Sequence, residues 1–174
     1  MKEDGELIKA LKYAIDFEIK GENIYEDLAN EAEDEFVKNT FSGLAKDELV
    51  HIEVINKYIE SIEKETEYDF EKELKKVTTS PKRLFGILPK KFKQKAALAA
   101  NQLKPFDIGM ELEQKSIDYY KEQGKKAKSE ATKRLFEFLT KQEKFHLKAL
   151  QEAKDFLGDP ENFYVEFERW GFGG

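Results

Sequence analysis

Residues 139–147 read LTKQEKFHL and set Glu143 and His146 three positions apart on a segment with helical apolar spacing. The chain has two histidines. The other, His51, follows Glu48 by three in LAKDELVHI, residues 44–52. Both separations are 95 residues, from Glu48 to Glu143 and from His51 to His146. The same offset upstream pairs Glu18 with Glu113 and Tyr25 with Tyr120. One glutamate match is cheap in so acidic a chain. Both histidines, their glutamates and an upstream Glu-x6-Tyr in one register point instead to a duplicated helical hairpin. Each copy carries a lone Glu and a Glu-x-x-His.

The apolar steps place these residues. In the first helix they run Leu7, Leu11, Ala14, Glu18, Gly21, Tyr25, Leu28, Ala32. In the second they run Val37, Phe41, Leu44, Glu48, His51, Ile55, Tyr58, Ile62. Alternating steps of three and four define a packed seam, so the charged residues stand where apolar ones belong. In antiparallel helices, residues equidistant from the turn are level. The midpoint of 18 and 48 is 33 and that of 18 and 51 is 34.5, at the turn predicted for Glu33–Glu35, with Asp34 as N-cap. Each helix would run about 28 residues, or roughly 40 Å.

The second hairpin repeats this. Its third helix has the seam Phe106, Gly109, Glu113, Ser116, Tyr120, Gln123, Ala127, whose small residues would leave room near the site. The fourth has Thr132, Phe136, Leu139, Glu143, His146, Leu150, Ala153, Leu157, with Ser129 as N-cap and Gly158-Asp159-Pro160 as stop. The expected architecture is all-α, an antiparallel four-helix bundle of one domain. Hairpin 1 spans about 6–65, a long crossover about 66–100, hairpin 2 about 101–157, and a docking tail 158–174. The crossover contains Pro81, Gly86 and Pro89, and from Lys72 to Lys95 nine basic residues oppose only Glu73. That run reads as a solvated connector, with docking of an acidic protein or of an anionic surface as the alternatives. The aromatic tail, with Trp170, reads as packing on the bundle or on a second subunit.

Composition narrows the chemistry. With no cysteine, thiolate catalysis, disulfides and iron–sulfur ligation fall away, and any metal is held by oxygen and nitrogen. A net charge of −6 argues against nucleic acid as the main partner. No apolar run approaches the roughly 18 residues of a membrane span, and the acidic N-terminus shows no signal peptide, so a cytoplasmic protein is expected.

Residues at i and i+3 share a helical face, so each Glu-x-x-His offers a carboxylate and an imidazole to one point. Four carboxylates on interior seams are untenable as bare charges. Two divalent cations would neutralise them and leave one imidazole for each ion. Surface pairing explains a single such motif as well; two in register, each with a level Glu, favour metal.

At these residues the chain resembles the rubrerythrin branch of the ferritin-like di-iron superfamily, over both hairpins. The resemblance implies Glu48 and Glu143 as bridging ligands, Glu18 and Glu113 as terminal ligands, and His51 and His146 as one ligand to each metal. It also implies a catalytic-site position for Tyr25 and Tyr120, although a seam tyrosine is often only core. The side-chain lean of helices points each hydroxyl back toward the glutamate of its own helix. The implied cofactor is two iron ions, with manganese or zinc also compatible. The implied activity is that of a di-iron oxidoreductase acting on O2 or hydrogen peroxide with a separate electron donor. Iron binding without turnover, or a structural bundle with a vestigial site, are the alternatives. Homodimer formation is implied too. Two features depart from the family: no rubredoxin-type cysteine set is present, and Ser116 stands where many members carry a further glutamate.

Overall fold

The computed structural model describes residues 2–69 and 97–163. Four long helices account for nearly all of them: α1 (Lys2–Glu31), α2 (Glu35–Glu63), α3 (Ala100–Lys126) and α4 (Glu130–Gly158). Their ends have local causes. Asp34 has extended backbone, and its carboxylate accepts from the N–H groups of Phe36 (2.9 Å) and Val37 (3.1 Å). Ser129 Oγ accepts from Thr132 N–H at 3.0 Å. Such caps satisfy helix N–H groups that have no intrahelical partner. Before α3, the Leu98 N–H donates to Leu157 O at 2.8 Å and ties the incoming chain to the end of α4.

The helices form two antiparallel hairpins, α1–α2 and α3–α4, packed as one four-helix bundle. Across the hairpins the pairs are antiparallel as well. Tyr119 reaches Ala10 and Tyr120 reaches Glu18, whereas Tyr25 reaches Gly109 and Glu113, so numbers rise on α1 as they fall on α3. Tyr58–Thr132, His51–Glu143 and His146–Asp47 show the same for α2 and α4.

The core has three layers. At the end of the bundle that carries the α1–α2 turn, Phe36 packs on Phe156 and an apolar layer gathers Tyr25, Phe41, Phe106 and Leu150. The opposite layer holds Leu11, Ile55, Tyr58, Tyr120 and Leu139. Between them, in sequence on every helix, lie the four glutamates and two histidines. Burying one large apolar side chain gains about 1.5–3 kcal/mol, so the two flanking layers supply the stability that the polar middle does not.

The basic crossover from Lys72 to Lys95 and most of the aromatic tail lie outside the described residues. The crossover's first residues return along α2, where Tyr68 packs edge-on against Tyr58 at 5.3 Å. At the other end, Phe163 packs on Phe156 at 5.4 Å.

Candidate metal centre

Glu18 comes from α1, Glu48 and His51 from α2, Glu113 from α3, and Glu143 and His146 from α4. All six are at most 3% exposed and they converge at mid-bundle. Glu18, Glu48, His51 and Glu143 form one quartet whose ligand atoms all lie within 4.8 Å of one another. Glu48, Glu113, Glu143 and His146 form a second. Glu48 and Glu143 belong to both, so the arrangement is two adjacent positions with a shared pair of carboxylates.

Each imidazole aims Nδ1 inward. His51 Nδ1 lies 3.1 Å from Glu18 Oε2, 3.0 Å from Glu48 Oε2 and 3.1 Å from Glu143 Oε1. His146 Nδ1 lies 3.2 Å from Glu143 Oε2 and 3.5 Å from oxygens of Glu48 and Glu113. The rings stack at 5.3 Å between centroids. His51 Nδ1 hydrogen-bonds Glu18 and Glu48, but both Glu143 oxygens, both His146 nitrogens and His51 Nε2 have no aligned hydrogen-bond partner among the described residues. Buried polar atoms left in that state need an explanation. Donor atoms that converge on a point without bonding one another are what a cation between them requires.

The electrostatics show what the cluster does on its own. Burial first, then the neighbouring Glu143, push the Glu18 and Glu113 carboxyls well above the usual range, toward the neutral form. Burial pushes Glu48 and Glu143 upward too, but hydrogen bonds from Glu18 and the imidazoles outweigh it at Glu48, and the imidazoles do so at Glu143. Glu143 is held down at about 2. Burial disfavours charge on the imidazoles, yet the surrounding carboxylates raise both above their usual value. The outer carboxyls are thus pushed toward their neutral form and the imidazoles toward their charged form, so that protons take the place that cations would.

The tyrosines correct one expectation. Tyr25 OH donates to Glu113 Oε1, and Tyr120 OH donates to Glu18 Oε1. Each hydroxyl meets the glutamate of the other hairpin, not that of its own helix. Because α1 and α3 are antiparallel, the direction that leads from Glu18 to Tyr25 leads on α3 from Glu113 back toward Gly109. Both rings are fully buried, and burial together with those carboxylates raises both phenols well above 10.

Gly109 differs from expectation as well. An added Cβ there would stand 2.9 Å from Leu150 Cδ1 and 3.2 Å from Tyr25 Cε1. The glycine admits Leu150 and Tyr25, which fill the space that it makes. Sequence reasoning missed Asp47, whose Oδ2 lies 3.5 Å from His146 Nε2. Its 95-residue counterpart, Gln142, is buried, whereas Asp47 is only partly so. A polar residue immediately before each shared Glu was the available signal.

Four buried carboxylates and two imidazoles converging on two positions, with both Glu143 oxygens and His146 Nδ1 left without a hydrogen-bond partner among the described residues, fit a hard or borderline divalent metal such as iron. A family model described as rubrerythrin matches residues 9–154, which takes in all six residues and both tyrosines. Comparison with curated proteins and with solved structures finds no match.

Proposed function

This chain belongs to the rubrerythrin family, and from that membership and its buried centre we propose that it binds two iron ions and works as an oxidoreductase. The substrate class is O2 or hydrogen peroxide, reduced with electrons from a separate donor. The observation that carries this reading is the pair of donor quartets sharing Glu48 and Glu143. Glu18 and His51 would complete one position, Glu113 and His146 the other. Bound iron supplies the redox chemistry, which protein side chains alone do not provide.

The chain's own residues do the rest. Tyr25 and Tyr120 each fix one oxygen of an outer glutamate; at Glu18 the other oxygen, Oε2, faces His51 Nδ1 at 3.1 Å. Asp47 stands behind His146 and favours the tautomer with Nδ1 free. The apolar layers on either side exclude bulk water, which strengthens every charge interaction within. A depression of about 450 Å³ on the α3–α4 side is lined by Tyr120, Thr140, Lys141 and Lys144.

The test is anaerobic Fe(II) titration, then O2 or peroxide with a surrogate reductant. Two irons per chain, one for each quartet, a new visible absorbance and catalytic peroxide loss are expected. Iron binding without turnover is the second reading, favoured by Ser116 one turn beyond Glu113 where no fifth carboxylate stands. It predicts the same stoichiometry and no catalytic loss. No tight metal binding would overturn both.

A further inference from the structure

The two centre tyrosines have different surroundings. Tyr25 is enclosed by phenylalanine: its ring stacks on Phe41 at 5.9 Å, and Phe41 meets Phe106 at 5.0 Å. Tyr120 instead touches Tyr119, ring centroids 5.7 Å apart, and Tyr119 touches Tyr13 at 5.1 Å. Tyr13 is 51% exposed. Phe17 packs on both outer rings, at 5.2 Å from Tyr13 and 5.7 Å from Tyr119. The 95-residue counterparts of Tyr119 and Tyr13 are Ile24 and Ile108, aliphatic side chains that carry no electron. The hairpin duplication therefore broke its symmetry here.

We propose that Tyr120, Tyr119 and Tyr13 form an electron relay joining Glu18, at the buried centre, to the protein surface. Electron hopping between phenols slows steeply with distance, and three tyrosines in ring contact keep each step short. The direction is set by exposure. The inner ring is sealed, the middle one half-buried, and the outer one open to a soluble one-electron reductant such as a thiol or ascorbate-class enediol.

With a metal ion in place Glu18 has given up its own proton; a one-electron oxidant at the buried end, of the oxidised metal-ion class, then takes an electron from Tyr120, whose phenolic proton moves along its hydrogen bond to Glu18 Oε1. Tyr119 passes an electron to the Tyr120 radical, which recovers that proton. Tyr119 donates its hydrogen bond to the Ala10 carbonyl at 2.9 Å, an acceptor that cannot keep a proton, so its proton leaves to water. Burial, with Tyr13 and Glu122 nearby, lifts Tyr119 to about 12, so it starts as a neutral phenol. Tyr13 then reduces Tyr119, which regains a proton from water, and loses its own proton to water. The external reductant returns one electron, and a proton from water restores Tyr13. One electron enters and one oxidising equivalent is quenched.

Its physiological use, carrying oxidising equivalents from the metal centre or electrons to it, rests on the function proposed above. The relay itself does not, and the test is kept free of metal redox chemistry. Because the chain has no cysteine, Lys141→Cys gives a unique attachment point on the depression bordering Tyr120. A ruthenium polypyridyl photo-oxidant placed there is flashed with a quencher and a nitroso spin trap, in full-length chain with redox-inert zinc, and adducts are mapped by mass spectrometry. Circular dichroism checks that every variant is folded. The trap should concentrate on Tyr13. Tyr119→Phe should lower the Tyr13 adduct about tenfold, equivalent to about 1.4 kcal/mol of added barrier, and leave the adduct at Tyr120. Tyr13→Phe, at an exposed position, should stop it at Tyr119. An equal Tyr13 adduct with and without Tyr119, or none at Tyr13 in the parent, overturns the relay whatever the fate of the metal.

Discussion

A glutamate on a helix seam is a charge set where a leucine would pack, and four such residues demand a common explanation. If the shared and outer glutamates have the proposed roles, their substitutions differ in a countable way. Glu143→Gln should empty both positions, whereas Glu18→Gln should leave one filled, as read by metal analysis after desalting. Asp47→Asn should weaken uptake at the His146 position by about tenfold, the usual order for an outer partner of a metal-binding histidine. Competition with a chelating dye measures it. Gln142 offers His51 no charge, so Gln142→Ala should change uptake less. The tyrosines are testable without metal. Tyr25→Phe leaves the buried Glu113 without its donor, at a cost of about 1–3 kcal/mol in urea unfolding.

At the scale of the helix, caps and close approaches govern. Asp34→Ala and Ser129→Ala should each lower stability by about 1 kcal/mol, since each strips an acceptor from the start of a long helix. Two glycines of α3 should respond in opposite directions. At Gly124 an added Cβ meets Phe136 Cβ at 3.5 Å, an ordinary contact, so Gly124→Ala should stabilise by about 0.5–1 kcal/mol through helix propensity. At Gly109 the same gain is outweighed. Leu150 is fully buried and Tyr25 is pinned by Glu113, so neither yields easily and overpacking costs about 1–3 kcal/mol. Thermal melts of the two alanine variants should shift apart.

For the whole molecule, protons and metal compete for one cavity. Above pH 4.5 the unfolded chain ionises Glu18 and Glu113 while the folded chain keeps their protons, and above 6.5 the same holds for His51 and His146. The folded state then binds more protons than the unfolded one, so metal-free stability falls as pH rises, by up to about 1.4 kcal/mol per unit for each held proton. Glu48 and Glu143 act oppositely. Their contribution is present above 4.5 and is lost as pH falls through the folded value, about 2 for Glu143. Metal-free chain should therefore melt highest near pH 5 and lower at pH 8. Metal must displace the protons of two imidazoliums and two carboxylic acids, so its stabilisation should grow with pH. Melts with EDTA and with zinc at pH 5 and pH 8 measure both trends. Curves that superimpose would exclude a metal site in the core.

The rhythm of the seams and the positions of the turns are local properties, and they were enough to specify a four-helix bundle with Glu18 level with Glu48 and His51. A helix repeats every 3.6 residues and a tight turn makes its two arms equidistant, so which residues face inward and at what height follows from counting. How one hairpin docks on the other does not follow. The 95-residue offset says that two positions are equivalent, but not which copy's side chain each one meets. Only the antiparallel packing of α1 on α3 decided that Tyr25 bonds Glu113 and Tyr120 bonds Glu18. It also lined up Tyr119 with Tyr13, while the packing of α2 on α4 set Asp47 behind His146 and that of α3 on α4 filled the space at Gly109 with Leu150. Those contacts depend on the rotation of one helix against another, which side-chain volumes fix jointly across both hairpins and no single segment encodes.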